Sequence, residues 1–379
     1  MSSARRTLLL SVCVVTAAML LWTYQQQPQR ALGNVLMMLV ILLGVVLGAC
    51  FFIALQYLMK GAWAVVLRRI PEALTGLLPA AAALTVIVWL GHAQLYHWVH
   101  PHGDVLLEGK QVFLNMPFFT LRLLIYFSLW FLIIGRIVKH SRAQDEDGSP
   151  THTFANVRWS AAYMIVFALS YSFASFDLVM SLEPHWFSTI FGVYNFAGAF
   201  LSALTVTTLL VIYYRRKDCF KDIQPVHVTF LAKLIFAFCI FWAYIWFSQF
   251  MLIWYSNIPE ETVYFIPRMQ GAWRPLFFAN LALNWLVPFL GLLGYRAKRN
   301  IPWLVCVCMA VLAGRALDVY LMVMPPLSHG HGPQFGAVEL LSLASIAALG
   351  LLFFKRTLHK HPLAPTHDPL FQESAQLHE

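Results

Sequence analysis

The chain has 379 residues, 60% of them hydrophobic and only 11% charged. Soluble domains carry roughly 25% charged residues, and about ten runs here are apolar over the length that crosses a bilayer, so a water-soluble fold is excluded. The net charge of +9 is divided among short clusters between those runs. That distribution argues for membrane topology and against a nucleic-acid partner.

In chain order, the first stretch, MSSARRTLLLSVCVVTAAMLLW, has the basic start and apolar core of a signal peptide. It runs into TYQQQPQR without a small-x-small cleavage site, so it reads as a retained first span. Further spans are expected at 31–59, 73–91, 117–136, 159–180, 187–214, 228–257, 275–296, 302–324 and 336–355, after a first at 7–24. The basic, aromatic segment KGAWAVVLRRIPE (60–72) is expected to lie along the membrane interface. QDEDGSPTHT (144–153) reads as a solvated loop, and the chain from Lys360 onward as a polar tail, disordered at its end. The fold expected is an all-α integral membrane domain over 1–359 with a cytoplasmic tail over 360–379.

Arg and Lys in the loops orient the spans. Arg5 and Arg6, Lys60 with Arg68 and Arg69, and Arg136, Lys139, Arg142 and Arg158 fall on one side of a ten-span drawing. So do Arg215, Arg216, Lys217 and Lys221, then Arg296, Lys298 and Arg299, then Lys355, Arg356 and Lys360. Both termini are therefore expected in the cytoplasm.

This orientation gathers the intramembrane polar groups near the outer side. Asp177 lies in the outer half of the fifth span, and Glu183-Pro184-His185 forms the turn beyond it. Arg122, Asn280, Asp318 and Glu339 are also in outer halves, while Arg315 and Asn284 are near mid-depth. A charge at the centre of a span costs roughly 2.5–3.5 kcal/mol on insertion scales, so such groups face protein or water and have partners. Arg315 and Asp318, three apart on one helix, are either an intrahelical pair that eases burial or part of a proton or quinone site. Asp177 is either a helix-end hydrogen-bonding group or a proton acceptor beside Glu183 and His185. Glu260 and Glu261 are either a solvated loop end or an acidic mouth. Lys233, near the inner end of the seventh span, either snorkels to the interface or belongs to a proton-uptake path.

Five of the six cysteines (Cys13, Cys50, Cys219, Cys239, Cys306 and Cys308) lie in apolar segments without metal-ligand spacing. Zinc and iron–sulfur clusters are not expected. The outer histidines His92, His97, His100, His102 and His185, together with His227, His329 and His331, all lie at or beyond span ends. A b-type haem needs axial histidines facing each other inside a bundle, so haem is not expected.

Two long motifs carry a family resemblance: SFDLVMSLEPHWFSTIFGVYNFAGAF (175–200) and FAFCIFWAYIWFSQFMLIWYSNIPEETVYF (236–265). With WAVVLRRIPE (63–72), GKQVFLNMPFFTLR (109–122) and Arg268…Gly271-x-Trp273, the chain resembles the NrfD-like membrane subunits of the polysulfide reductase type. The similarity is to the F subunit of alternative complex III, a bacterial quinol:cytochrome c oxidoreductase, over about residues 31–325. The resemblance implies two four-helix bundles, spans two to five and six to nine, flanked by the first and last spans. It implies a multi-pass protein of the bacterial inner membrane. Its partners would be a second NrfD-like subunit, an iron–sulfur subunit and multihaem cytochromes c, with quinone or menaquinone as the ligand and no metal of its own. The positions carried over are Asp177, Glu183, His185, Gln249, Glu260, Glu261 and Arg268. The chain departs from the family at HVTFLAK (227–233), where members read close to HDLG and supply an acid. A purely structural membrane anchor is the main alternative. A secondary transporter is less favoured, because no repeated half or matched pair of broken spans is visible.

Overall fold

A computed structural model describes residues 3–100, 103–217, 222–328, 330–358 and 363–377. His102, Cys219, Lys221, His329 and Lys360 lie outside the described residues. Among the described residues the regular elements are all helical. Among the same described residues, nine helices are long and apolar enough to cross a membrane, which defines a multi-span helical membrane protein.

Helix α1 spans Ser3–Gln26 and α2 spans Pro28–Met59. Pro28 opens α2 at a position where its missing N–H is not needed, and Lys60 ends it in the left-handed conformation (φ 50°). Helix α3 (Arg69–Thr75) continues through a turn into α4 (Leu78–Leu90). Asn115 caps α5 (Met116–Asp147) by accepting from Phe118 N at 2.9 Å, and α6 covers Thr151–Leu178. Then come α7 (Phe191–Arg215) and α8 (Pro225–Ser256), the latter opened by a Gln224/His227 capping box.

Next is α9, residues 274–291, which is α-helical to Leu281, π-helical over Ala282–Leu286 and α-helical again to Gly291. Helix α10 is Ile301–Leu327, α11 is Ala337–Leu358 and the short α12 is Phe371–Ala375. The span expected at 275–296 therefore stops at Gly291. Hydropathy extends through Leu292–Leu293 but does not register the turn that precedes the basic helix Tyr295–Arg299.

Two four-helix groups result, α2, α4, α5 and α6 in one and α7 to α10 in the other, with α1 and α11 paired at the flank. The seam between the groups is α2 against α7. Helices in lipid gain little from hydrophobic association and depend on close backbone packing, which small residues permit. Gly44 and Gly48 of α2, four apart, lie on Ala199 and Ala203 of α7, also four apart. A Cβ added at Gly48 would sit 2.7 Å from that of Ala203. The outer surface carries large apolar side chains such as Leu124 (62% exposed) and Ile165 (67%), as expected where the solvent is hydrocarbon.

The bundle has a basic end, with the loops rich in Lys and Arg, and an opposite end. At the basic end the segment 60–72 is covered largely by protein. Ala64, Val65, Val66 and Leu67 are buried as a 3-10 turn beneath α12. Arg68 pairs with Asp368 at 2.5 Å and stacks over Tyr57, and Arg69 pairs with Glu72 and Asp145, all buried or nearly so. The tail thus folds back. Ser374 accepts from Val66 N (3.2 Å) and donates to Trp63 O, and His227 Nε2 donates to its carbonyl (3.1 Å). Polarity makes the tail look solvated, but Asp368, Phe371 and Ser374 each meet a matching group on the body.

Candidate functional site

The polar residues singled out near residues 177–185 share a stretch of sequence but divide in space: Asp177 is buried inside the bundle, while Glu183 and His185 line one cleft and take different partners. Asp177, in the last turn of α6, is fully buried and pairs with Arg122 of α5. Arg122 Nη2 reaches Oδ1 at 2.7 Å and Nε reaches Oδ2 at 2.9 Å, while the Tyr126 hydroxyl donates to Oδ2 at 2.9 Å. Arg122 and Tyr126 are four apart and so share one face of α5. The guanidinium also lies over the rings of Phe113 and Phe118. A carboxylate held by a two-point guanidinium contact and a phenol has both oxygens satisfied.

Glu183 turns the other way. Its carboxylate accepts from Arg268 Nη2 at 2.8 Å, and buried Arg268 also donates to Leu321 O at 2.8 Å and stacks on Tyr264. This ties the α6–α7 turn to the α8–α9 loop and to α10. Burial pushes the Tyr264 phenol above its ordinary range. His185 meets a third partner, Asp104, at 3.0 Å, and both are partly exposed (50% and 33%). They line a cleft of about 630 Å³ at the opposite end, together with His97, His100 and Glu183. Lys110 donates to Pro184 O at this turn, and desolvation lowers its ammonium pKa below the ordinary lysine value.

Deeper in the second group, Asp318 of α10 collects three contacts. Arg315 Nη1 donates at 2.8 Å, Asn280 Nδ2 at 3.0 Å, and the Tyr194 hydroxyl also donates. Arg315 reaches on to Asn195, which donates to Ser175 of α6 at 3.0 Å, so the network crosses the seam. The intrahelical Arg315–Asp318 pair expected from spacing is present, but inside a larger interhelical array. Gly198 makes room for it: a Cβ there would lie 2.4 Å from Arg315 Nη1. Asn284, in the π-helical turn, donates to Asn280 Oδ1 at 2.7 Å. A π-turn re-aims side chains out of α register and is frequent at functional sites.

Other predicted positions stand apart from these arrays. Gln249 is buried, and its Nε2 has no hydrogen-bond partner among the described residues. Glu260 is exposed and Glu261 accepts only a 3.4 Å bond from Ser256. Lys233 is exposed on α8 with its ammonium 4.8 Å from the Phe230 ring, which fits the snorkelling alternative. Glu339 is fully buried against Arg30 (2.9 Å) and Asn34. Sequence reading did not single out Tyr126, Tyr194, Asn195, Asp104 or the buried Glu72–Arg69–Asp145 group. The Arg122/Tyr126 and Arg69/Glu72 spacings were visible signals for two of them.

These arrays can hold charges at fixed positions in an apolar surround; His185, Asp104 and the partly exposed Glu183 reach the cleft, where protons can exchange with water. Among the described residues no group of three or more His, Cys, Asp or Glu could hold a metal ion. Compared with protein-family models and with curated proteins, the sequence finds no match.

Proposed function

We propose that the chain is an integral membrane subunit of a bacterial respiratory quinol:cytochrome c oxidoreductase complex. It supports quinol oxidation and proton transfer at the outer face and has no catalytic activity alone. In this reading the basic end is cytoplasmic and the protein sits in the inner membrane. Its partners are a second NrfD-like subunit, an iron–sulfur subunit and multihaem cytochromes c.

The observation that carries the reading is the set of acid-containing arrays collected toward the end opposite the basic loops: Asp177–Arg122–Tyr126, Glu183–Arg268 and His185–Asp104. Oxidation of a quinol to a quinone releases two protons, which need acceptors with access to water. Imidazole is the side chain whose ordinary titration lies nearest neutral pH, and His185 stands in the solvent-open cleft. An apolar hollow of about 210 Å³ lies beside this turn, walled by Phe113, Phe176 and Phe187. It suits one face of a ring. Asp177→Asn in the assembled complex tests the reading. Turnover of quinol:cytochrome c is expected to fall at least tenfold with assembly intact; unchanged turnover removes Asp177 from proton handling.

One observation favours the structural-anchor reading instead. Asp177 and Asp318 are each fully satisfied by protein donors, as expected of groups that hold helices together.

A further inference from the structure

Several cations at the basic end already have acceptors in the protein. Arg68 and Arg69 pair with carboxylates, Arg215 donates to Ile223 O at 3.0 Å and Lys298 to Leu293 O at 3.2 Å. One group differs. Arg5 of α1, Lys355 of α11 and Lys217, in the turn after α7, come from three helix ends, and the charges of all three act on the Tyr213 phenol. Lys217 Nζ stands 4.6 Å from the Tyr213 ring centroid, and Tyr213 is 40% exposed. Arg5 is exposed and Lys355 partly buried, and neither pairs with a carboxylate among the described residues. Like charges gathered at one place repel, so the arrangement favours an anion between them.

The same cluster stands at one end of an apolar cleft. The cleft occupies about 530 Å³ between α2, α3, α7, α10 and α11, within the roughly 300–1,000 Å³ typical of small-molecule sites. On α7 it is walled by Val206, Leu209 and Leu210, and Tyr213 is the next residue on that face. On α11 it is walled by Ala347 and Leu351, and Lys355 follows four residues on. It opens sideways, where Ala347 and Leu351 of α11 and Met309 of α10 are exposed. We infer that this site binds an anionic glycerophospholipid, with an acyl chain in the cleft and the phosphate held by Arg5, Lys217 and Lys355 beside the Tyr213 hydroxyl. Basic pockets between spanning helices take such headgroups. A zwitterionic lipid is disfavoured, because its ammonium adds a further positive charge to the cluster. The site lies at the end opposite the acid-containing arrays and does not depend on their reading.

The test is native mass spectrometry of the delipidated full-length chain in mild detergent. It is titrated with dioleoylphosphatidylglycerol or with dioleoylphosphatidylcholine, which has the same chains. Thermal unfolding with either lipid or with inorganic phosphate is the second readout, since a ligand of the native state raises the midpoint. Phosphatidylglycerol is expected to saturate a single site and to bind about tenfold or more tighter than phosphatidylcholine. Arg5→Gln and Lys355→Gln should each weaken it about fivefold, which is about 1 kcal/mol per cation converted to affinity, and leave phosphatidylcholine unchanged. Ala347→Trp, which fills the mouth away from the cations, should weaken both lipids; Leu351→Trp repeats the test if that variant misfolds. Equal binding of the two lipids overturns the inference. So does phosphatidylglycerol binding that is unchanged in the Arg5→Gln/Lys355→Gln double variant, which would place the lipid elsewhere on the surface. Binding that survives both mouth-filling variants removes the cleft, and a midpoint shift with inorganic phosphate as large as with phosphatidylglycerol removes the lipid.

Discussion

Arg122 and Asp177, 55 residues apart in sequence, meet inside the first helix group through a two-point contact of 2.7 and 2.9 Å. Removing one partner leaves the other charged and buried. Arg122→Leu is therefore expected to destabilise by about 3–5 kcal/mol, read as a lowered thermal midpoint in detergent. The double variant Arg122→Leu/Asp177→Leu should recover most of that loss, because it removes both charges together. A double variant as damaged as the single one would mean that the surrounding packing, not the charge pair, sets the cost.

The seam between the groups makes a sharper steric prediction. A Cβ at Gly48 lands 2.7 Å from Ala203 and near the backbone of Ala199 and Phe200. Gly48→Val should force α2 and α7 apart and cost about 1–3 kcal/mol or more. Gly350→Val, at a glycine with open space around it, is the control and should change the midpoint little. Thermal unfolding of the two variants side by side checks this.

The docked tail is testable by proteolysis. Asp368→Ala leaves Arg68 buried without its carboxylate and should cost about 3 kcal/mol; Ser374→Ala, which removes a hydroxyl bonded to Val66 N and Trp63 O, should cost about 1 kcal/mol. Both variants should expose residues 363–377 to protease earlier than the parent. Unchanged cleavage would show that the tail is held by other contacts.

Lys233 supplies a negative prediction. It is exposed and its nearest described partner is the Phe230 ring. Lys233→Met is expected to stay within about 0.5 kcal/mol of the parent and to leave turnover of the assembled complex unchanged. A large loss of turnover would restore Lys233 to a proton-uptake path.

The helices were legible because bilayer-length apolar runs leave few alternatives. Hydropathy could not register the π-turn at Ala282–Leu286, because that is a change of hydrogen-bond register within an equally apolar segment. Asp177, Glu183 and His185 read as one cluster from their closeness in sequence. They separate because α6 ends at Leu178 and a 3-10 turn over Met180–Leu182 re-aims the chain, sending each group to a different distant partner: Arg122, Arg268 and Asp104. Such pairings have no local signature. The Arg315–Asp318 pair has one, at three residues apart, and it was found. Arg68 and Arg69 read as topology markers from composition alone, and their burial against Asp368 and Glu72 depended on a tail whose polarity suggested solvent.

The most direct test of the central proposal is affinity purification of the tagged full-length chain from native membranes in mild detergent. Subunit mass spectrometry, haem absorbance and quinol:cytochrome c assay would then be run on the eluate. The account predicts that a second NrfD-like chain, an iron–sulfur subunit and multihaem cytochromes c elute with it, and that the eluate oxidises quinol. Elution as a single chain without haem, redox partners or quinol oxidation would contradict it.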